Sequence, residues 1–145
     1  MQFHRAMSFA DDLEGRLSKF ARATISFCRT LPCTDEAREW GGQLRRASTS
    51  ASASYRASRR GKSKADWLNK IADTVEELDE CDMWFSTLEA SQLASPPQKL
   101  RSEARELRAI LAKSLATGRA NERRRKEQPK RGRKRDSTDR SDIAT

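Results

Sequence analysis

Apolar residues recur along this chain at steps of three and four, the spacing that places them on one side of an α-helix. Leu13, Leu17, Phe20, Thr24, Phe27 and Leu31 predict a first helix from about Ser8 to Thr30. Leu31-Pro32-Cys33 breaks it, and Thr34 is placed to cap a second helix whose first turn holds Asp35 and Glu36. That helix is predicted from Thr34 to about Arg60, with Ala37, Trp40, Leu44, Ala47, Ala51 and Ser54 along a coiled-coil-like seam. Residues 47–54 are all Ala, Ser or Thr. Serine is a mediocre helix former, so close packing rather than propensity must hold this stretch.

Gly61 is a plausible stop, and Ser63 with Asp66 resembles a capping box opening a third helix that reaches about Leu93. Trp67, Ile71, Val75, Leu78, Phe85 and Leu88 form its apolar face. Ser95-Pro96-Pro97-Gln98 reads as a helix start, with Ser95 as N-cap, a proline at the first helical position and Gln98 at N3. The fourth helix carries Leu100, Ala104, Leu107, Leu111 and Leu115 and meets Gly118. Four amphipathic helices with short loops predict an all-α, antiparallel up-down-up-down four-helix bundle over residues 1–118. Residues 119–145 are predicted to be a disordered basic tail, or a fraying continuation of helix four.

Charge changes this picture from a bundle to a binding bundle. The formal net charge is +9, which makes an anionic partner the default expectation. Residues 119–145 hold 11 Lys or Arg against five Asp or Glu, so much of the excess lies in the tail. Within the bundle, the stretch between Trp40 and Trp67 holds seven basic residues and a single acid, Asp66. At 100° per residue, Arg38, Arg45, Arg56 and Arg60 fall together opposite the apolar seam of helix two, with Arg46 and Arg59 flanking them. An arginine fork donates two hydrogen bonds to one phosphate. Three helical turns separate Arg45 from Arg56, about 16 Å, enough to meet successive phosphates of a strand.

The nucleic-acid-binding residues predicted are therefore Arg38, Arg45, Arg46, Arg56, Arg59, Arg60, Lys62 and Lys64 on the fold. Arg123, Arg124, Arg125, Lys130, Arg131, Arg133, Lys134 and Arg135 join them from the tail. An alternative keeps the stripe within the protein. Helix three carries Asp73, Glu76, Glu77, Asp79, Glu80 and Asp82, and these acids, on a neighbouring helix or subunit, are candidate partners for the arginines. Trp84 lies off the apolar face beside them, and Tyr55 sits at the edge of the small-residue seam. Tyr55, Asp79, Glu80 and Trp84 are the candidate subunit contacts.

Little supports catalysis. His4 is the single histidine, and no Gly-rich phosphate loop or nucleophile–base set appears. Gly61-Lys62-Ser63 resembles the end of a P-loop but lacks the upstream glycine. Cys28, Cys33 and Cys81 lack CxxC spacing, so free, mostly buried thiols are expected rather than a metal site. No catalytic residue, metal or cofactor is predicted. No apolar run approaches the ~20 residues of a membrane span, and no signal-peptide pattern is visible, so a cytoplasmic location is expected.

Two runs carry a resemblance. One is QLRRASTSASASYRAS from Gln43 to Ser58; the other is SKADWLNKI from Ser63 to Ile71, continuing through EELDE to Trp84. With Phe20-Ala21 and Leu31-Pro32 upstream, they resemble the bacterial four-helix-bundle proteins known from intervening sequences in 23S rRNA genes. The resemblance spans about residues 10 to 117. It implies a ring-like homo-oligomer, a pentamer. Related bundles are nucleic-acid-binding accessory proteins of diversity-generating reverse transcriptases. The chain departs from that pattern at Ser54, where the family has Asn, and at Ala57, where it has Glu. The second departure leaves the stretch purely basic. Two functions follow as expectations: an oligomer binding nucleic acid, RNA before DNA, or a scaffold for a protein partner such as a reverse transcriptase.

Overall fold

A computed structural model describes residues 7–128. They form four helices: α1 Phe9–Cys28, α2 Asp35–Ser58, α3 Lys64–Ala90 and α4 Gln98–Glu127. Each helix packs on its neighbours around a square, α1 on α2, α2 on α3, α3 on α4 and α4 on α1, with no diagonal pair in close backbone contact. Short connections make successive helices antiparallel, and the up-down-up-down bundle follows. Among the described residues, no helix is long and apolar enough to cross a membrane.

The core is the union of the four periodic faces. Leu13, Leu17, Leu44, Ile71, Leu78 and Leu107 are all but inaccessible to solvent, and burying each such side chain stabilises the fold by roughly 1.5–3 kcal/mol. Phe85 of α3 reaches across to α1, edge-on to Phe20 at 6.5 Å between ring centroids and tilted against Phe27 at 5.9 Å. The small-residue seam packs as its composition requires. Ala47, Ser48, Ala51 and Ser58 are buried, and the Ser48 and Ser58 hydroxyls donate to their own helix at Arg45 O and Tyr55 O. At Gly41 a methyl group would lie 2.6 Å from Leu31 Cδ1, so a bare backbone lets the α1–α2 connection close over α2.

Three of the four starts are capped by side chains. Ser8 and Asp11 form a reciprocal capping box, the Ser8 hydroxyl accepting from Asp11 N at 3.1 Å and the Asp11 carboxylate from Ser8 N. The Thr34 and Ser63 hydroxyls accept from Ala37 N and Asp66 N. The fourth start differs from the expected one. Ser95 does not cap α4; Pro97 occupies the cap position, with extended backbone (ψ 131°), and its carbonyl accepts from Leu100 N and Arg101 N. A proline disfavours helical backbone in the residue before it, so Pro97 holds Pro96 out of the helix and delays the start.

Two ends also differ. α3 stops at Ala90 rather than Leu93: Gln92 adopts left-handed backbone (φ 58°), Leu93 N donates to Leu88 O and Gln92 N to Glu89 O. That is a Schellman closure with glutamine where glycine is usual, and so it carries no glycine signal. Gly118 does not stop α4, which runs on to Glu127. A methyl group at Gly118 would lie 2.8 Å from Trp67 Cζ3 and 2.9 Å from Leu68 Cδ2. The glycine thus serves close approach of α4 to α3. The tail's Lys130, Arg131, Arg133, Lys134 and Arg135 lie outside the described residues.

The thiols divide by burial. Cys81 is fully buried and Cys28 half-buried, while Cys33 is exposed in the α1–α2 connection, against the expectation of general burial. Burial pushes the Cys81 thiol far up, with Glu77 and Glu80 adding to it, and burial likewise raises Cys28. Left-handed backbone costs a non-glycine residue about 1–2 kcal/mol, offset by glycine's greater freedom when unfolded. Gln92→Gly is therefore expected to stabilise the bundle by about 0.5–1 kcal/mol, read as a raised urea midpoint at unchanged m value.

Candidate nucleic-acid interface

The solvent side of α2 and the turn after it carry the basic residues together. Arg38, Arg45, Arg46, Arg56, Arg60, Lys62 and Lys64 are all exposed. Between Arg46 and Arg56 the outward-facing side chains are small, and Thr49 turns its hydroxyl back to the carbonyls of Arg45 and Arg46 at 3.0 Å. The surface there is a low saddle with arginines at both ends. Arg45 borders a groove with Cys28, Leu31 and Pro32 on the α1 side. Arg46 stands toward α3, near enough to Glu77 to ease ionisation of that carboxyl.

The arginines differ in what already holds them. Arg59 reaches α1, with Nη2 2.7 Å from Asp11 Oδ1 and Nη1 2.6 Å from Glu14 Oε2. These bonds hold the Asp11 carboxyl below its usual range, the Arg59 hydrogen bond more than the Ser8 hydroxyl. Arg56 approaches Glu14 at 3.8 Å, and Arg38 pairs with Asp35 one turn away. Among the described residues, Arg45, Arg46 and Arg60 have no ion-pair or hydrogen-bond partner for their guanidinium groups. Lys64 lies 4.4 Å above the Trp67 ring.

Among the described residues, no acid of α3 comes within ion-pair distance of this face, Glu77 standing nearest, beside Arg46. Asp79 pairs with Arg108, Asp82 with Arg105 at 3.1 Å, and Glu89 with Arg101, an antiparallel ladder along the α3–α4 seam. Arg101 adds a bond to Ser86 Oγ at 2.9 Å. Arg16 ties α1 to α4 in the same way, through Glu103 at 2.9 Å and Glu106 at 3.4 Å. Each such surface pair contributes about 0.2–1 kcal/mol; their larger effect is on register and on which charges stay free. Arg101, Arg105 and Arg108 are not among the residues expected to matter from sequence, although their three- and four-residue spacing on α4 is a signal that they share one face.

Two candidate subunit contacts are engaged inside the protomer. Tyr55 is buried, 5% exposed, in the core rather than at an edge, because the small residues around it let the ring turn inward. Asp79 is held by Arg108. Trp84 is half-buried and donates its indole N–H to Glu80 Oε1 at 3.2 Å. On α4, Arg123, Arg124 and Arg125 are exposed; Arg124 bonds Asn121 and Arg125 pairs with Glu122.

The fold is that of an antiparallel four-helix bundle, and comparison with solved structures agrees. The chain resembles a crystal structure from Bacteroides thetaiotaomicron, a protein of unknown function from the S23 ribosomal protein family, with a TM-score of 0.66. The likeness covers 74% of this chain and 97% of that one at 19% identity. At that identity it establishes shared architecture. No family model matches the sequence, and no curated protein matches it.

One acid on α3 remains under stress. Burial raises the Glu77 carboxyl above its ordinary range, and Glu80, Asp73 and Glu76 add repulsion that Arg46 only partly relieves. A carboxyl raised on folding favours its neutral form. The cost is therefore present at neutral pH and fades as pH falls through that raised value toward the ordinary glutamate range, about 4.3. Like charges one turn apart cost about 0.2–0.5 kcal/mol per pair. Glu77→Gln is expected to stabilise the fold by about 0.5 kcal/mol at pH 7, with the gain gone at pH 3.5, in paired thermal melts.

Proposed function

We propose that this chain is a non-enzymatic, oligomeric four-helix-bundle protein that binds nucleic acid, RNA in preference to DNA, through the basic face of α2 and its basic C-terminal residues. The observation that carries the proposal is the charge partition. Among the described residues, Arg45, Arg46 and Arg60 stand exposed without an ion-pair partner, Glu77 being the α3 acid whose charge Arg46 feels, while Asp79, Asp82 and Glu89 of α3 are held by α4. A saddle of small side chains between two arginine clusters admits a phosphate backbone, and planar guanidinium forks suit it.

Membership of the family known from 23S rRNA intervening sequences is part of the proposal. The Gln43–Ser58 and Ser63–Trp84 motifs support it, as does the architecture shared with a member of the S23 ribosomal protein family. A ring-like homo-oligomer, a pentamer, belongs to the same reading. Trp84, half-buried beside Glu80, and the unpaired Asp73 and Glu76 offer a surface of opposite sign to α2. Repeating α2 around a ring would multiply phosphate contacts, with little base reading because few aromatic rings are exposed.

Anisotropy of a labelled, unstructured oligoribonucleotide tests the proposal. Each phosphate neutralised on a single strand contributes about −0.7 to the log–log slope of affinity against salt. Arg45→Glu/Arg46→Glu/Arg60→Glu together are expected to flatten that slope by about two and to weaken binding at fixed salt, with the melting temperature preserved. Salt-independent binding contradicts the reading, and so does binding lost only when residues 129–145 are removed. Recovery of one protein partner after nuclease treatment, without RNA affinity in the purified chain, replaces it with the scaffold function.

A further inference from the structure

The bundle is uneven at one end. α1 has 20 residues and α4 has 30, so α4 and the start of α3 extend past the first turn of α1. Gly118 then draws α4 onto Trp67 and Leu68 of α3, away from α1. The result is an open cleft of about 940 Å³ between the beginning of α1 and the stretch of α4 from Ile110 to Asn121. Its floor is apolar, built from Leu13, Trp67, Ile71, Ile110 and Leu111. Phe9, 65% exposed, stands at its edge.

The rim has one sign. Arg59, Lys64 and Lys113, from three different parts of the chain, border the cleft, and among the described residues no carboxylate lines it. Arg59 is already satisfied by Asp11 and Glu14, which leaves two ammonium groups without an ion-pair partner among the described residues, Lys113 and Lys64, the latter 4.4 Å above the Trp67 ring and near enough to Glu122 to act on it. Ser114, Thr117 and Asn121 add hydroxyl and amide groups along the α4 wall. A concave apolar site of this size with a few convergent polar groups is the usual form of a small-ligand pocket.

We propose that this cleft binds a small amphipathic anion of the fatty-carboxylate type, its chain on the apolar floor and its carboxylate between Lys64 and Lys113. The floor supplies affinity through burial of the chain. The two lysines supply selection by charge, since a neutral or cationic head leaves them unpaired or repelled. The site lies at the end of the bundle and does not use Arg45, Arg46 or Arg60; it shares only Arg59 and Lys64 at its rim with the basic face.

Calorimetric titration of the full chain with decanoate, decanol and decyltrimethylammonium, each below its micelle concentration, tests this. Decanoate is expected to bind once per chain, at least about tenfold more tightly than either analogue. Lys64→Ala/Lys113→Ala should weaken decanoate by about tenfold with an unchanged melting temperature. Ile110→Trp, which fills the floor, should abolish binding; should that variant unfold, the lysine pair alone decides. Equal binding of the three probes, indifference to the two lysines, or no saturable binding by the wild-type chain overturns the proposal.

Discussion

Arg101, Arg105 and Arg108 of α4 meet Glu89, Asp82 and Asp79 of α3 in antiparallel order along one seam. Solvated pairs of this kind add little stability singly. Their consequence is a division of charge. Helix α3 has the acids that would make the bundle surface mixed, and α4 takes three of them. Asp73, Glu76, Glu77 and Glu80 stay unclaimed on α3, and among the described residues none comes within ion-pair distance of an α2 arginine, although Glu77 lies near enough to Arg46 to feel its charge. Asp11 and Glu14 of α1 take Arg59, Glu14 also approaches Arg56, Asp35 takes Arg38, and Arg45, Arg46 and Arg60 stay open.

Packing and charge depend on each other here. The Ala/Ser stretch from Ala47 to Ser54 forms a helix because buried neighbours hold it, not because its residues favour one. Its short side chains serve both sides. Inward, they let Tyr55 and Leu44 into the core. Outward, they leave a saddle with nothing long enough to screen Arg45 and Arg46 from Arg56 and Arg60. A Leu- or Glu-rich helix would fold as well and would lose that surface.

The architecture was legible in the sequence because apolar residues at three- and four-residue steps leave one solution when loops are short. Helix ends were less legible, for local reasons. Ser95 looked like a cap, but consecutive prolines force extended backbone up to Pro97. Gln92 closes α3 in a conformation usually marked by glycine, and Gly118, which looked like a stop, is a packing residue. The arginine face of α2 was visible on a helical wheel. The partners of Arg59 were not, since pairing across helices depends on which seam each side chain leans into. The cleft beside Phe9 was equally hidden, because it arises from the unequal lengths of α1 and α4.

The central claim is that the free arginines of α2, rather than those of α4, form the anion-binding surface. Arginine-selective chemical modification read by mass spectrometry, with and without a single-stranded RNA, tests it most directly. Arg45, Arg46 and Arg60 are expected to react readily in the free protein and to be protected by RNA, while Arg101, Arg105 and Arg108 react alike in both states. Protection confined to residues beyond Gln128, or protection of the α4 arginines in place of those on α2, would contradict the account.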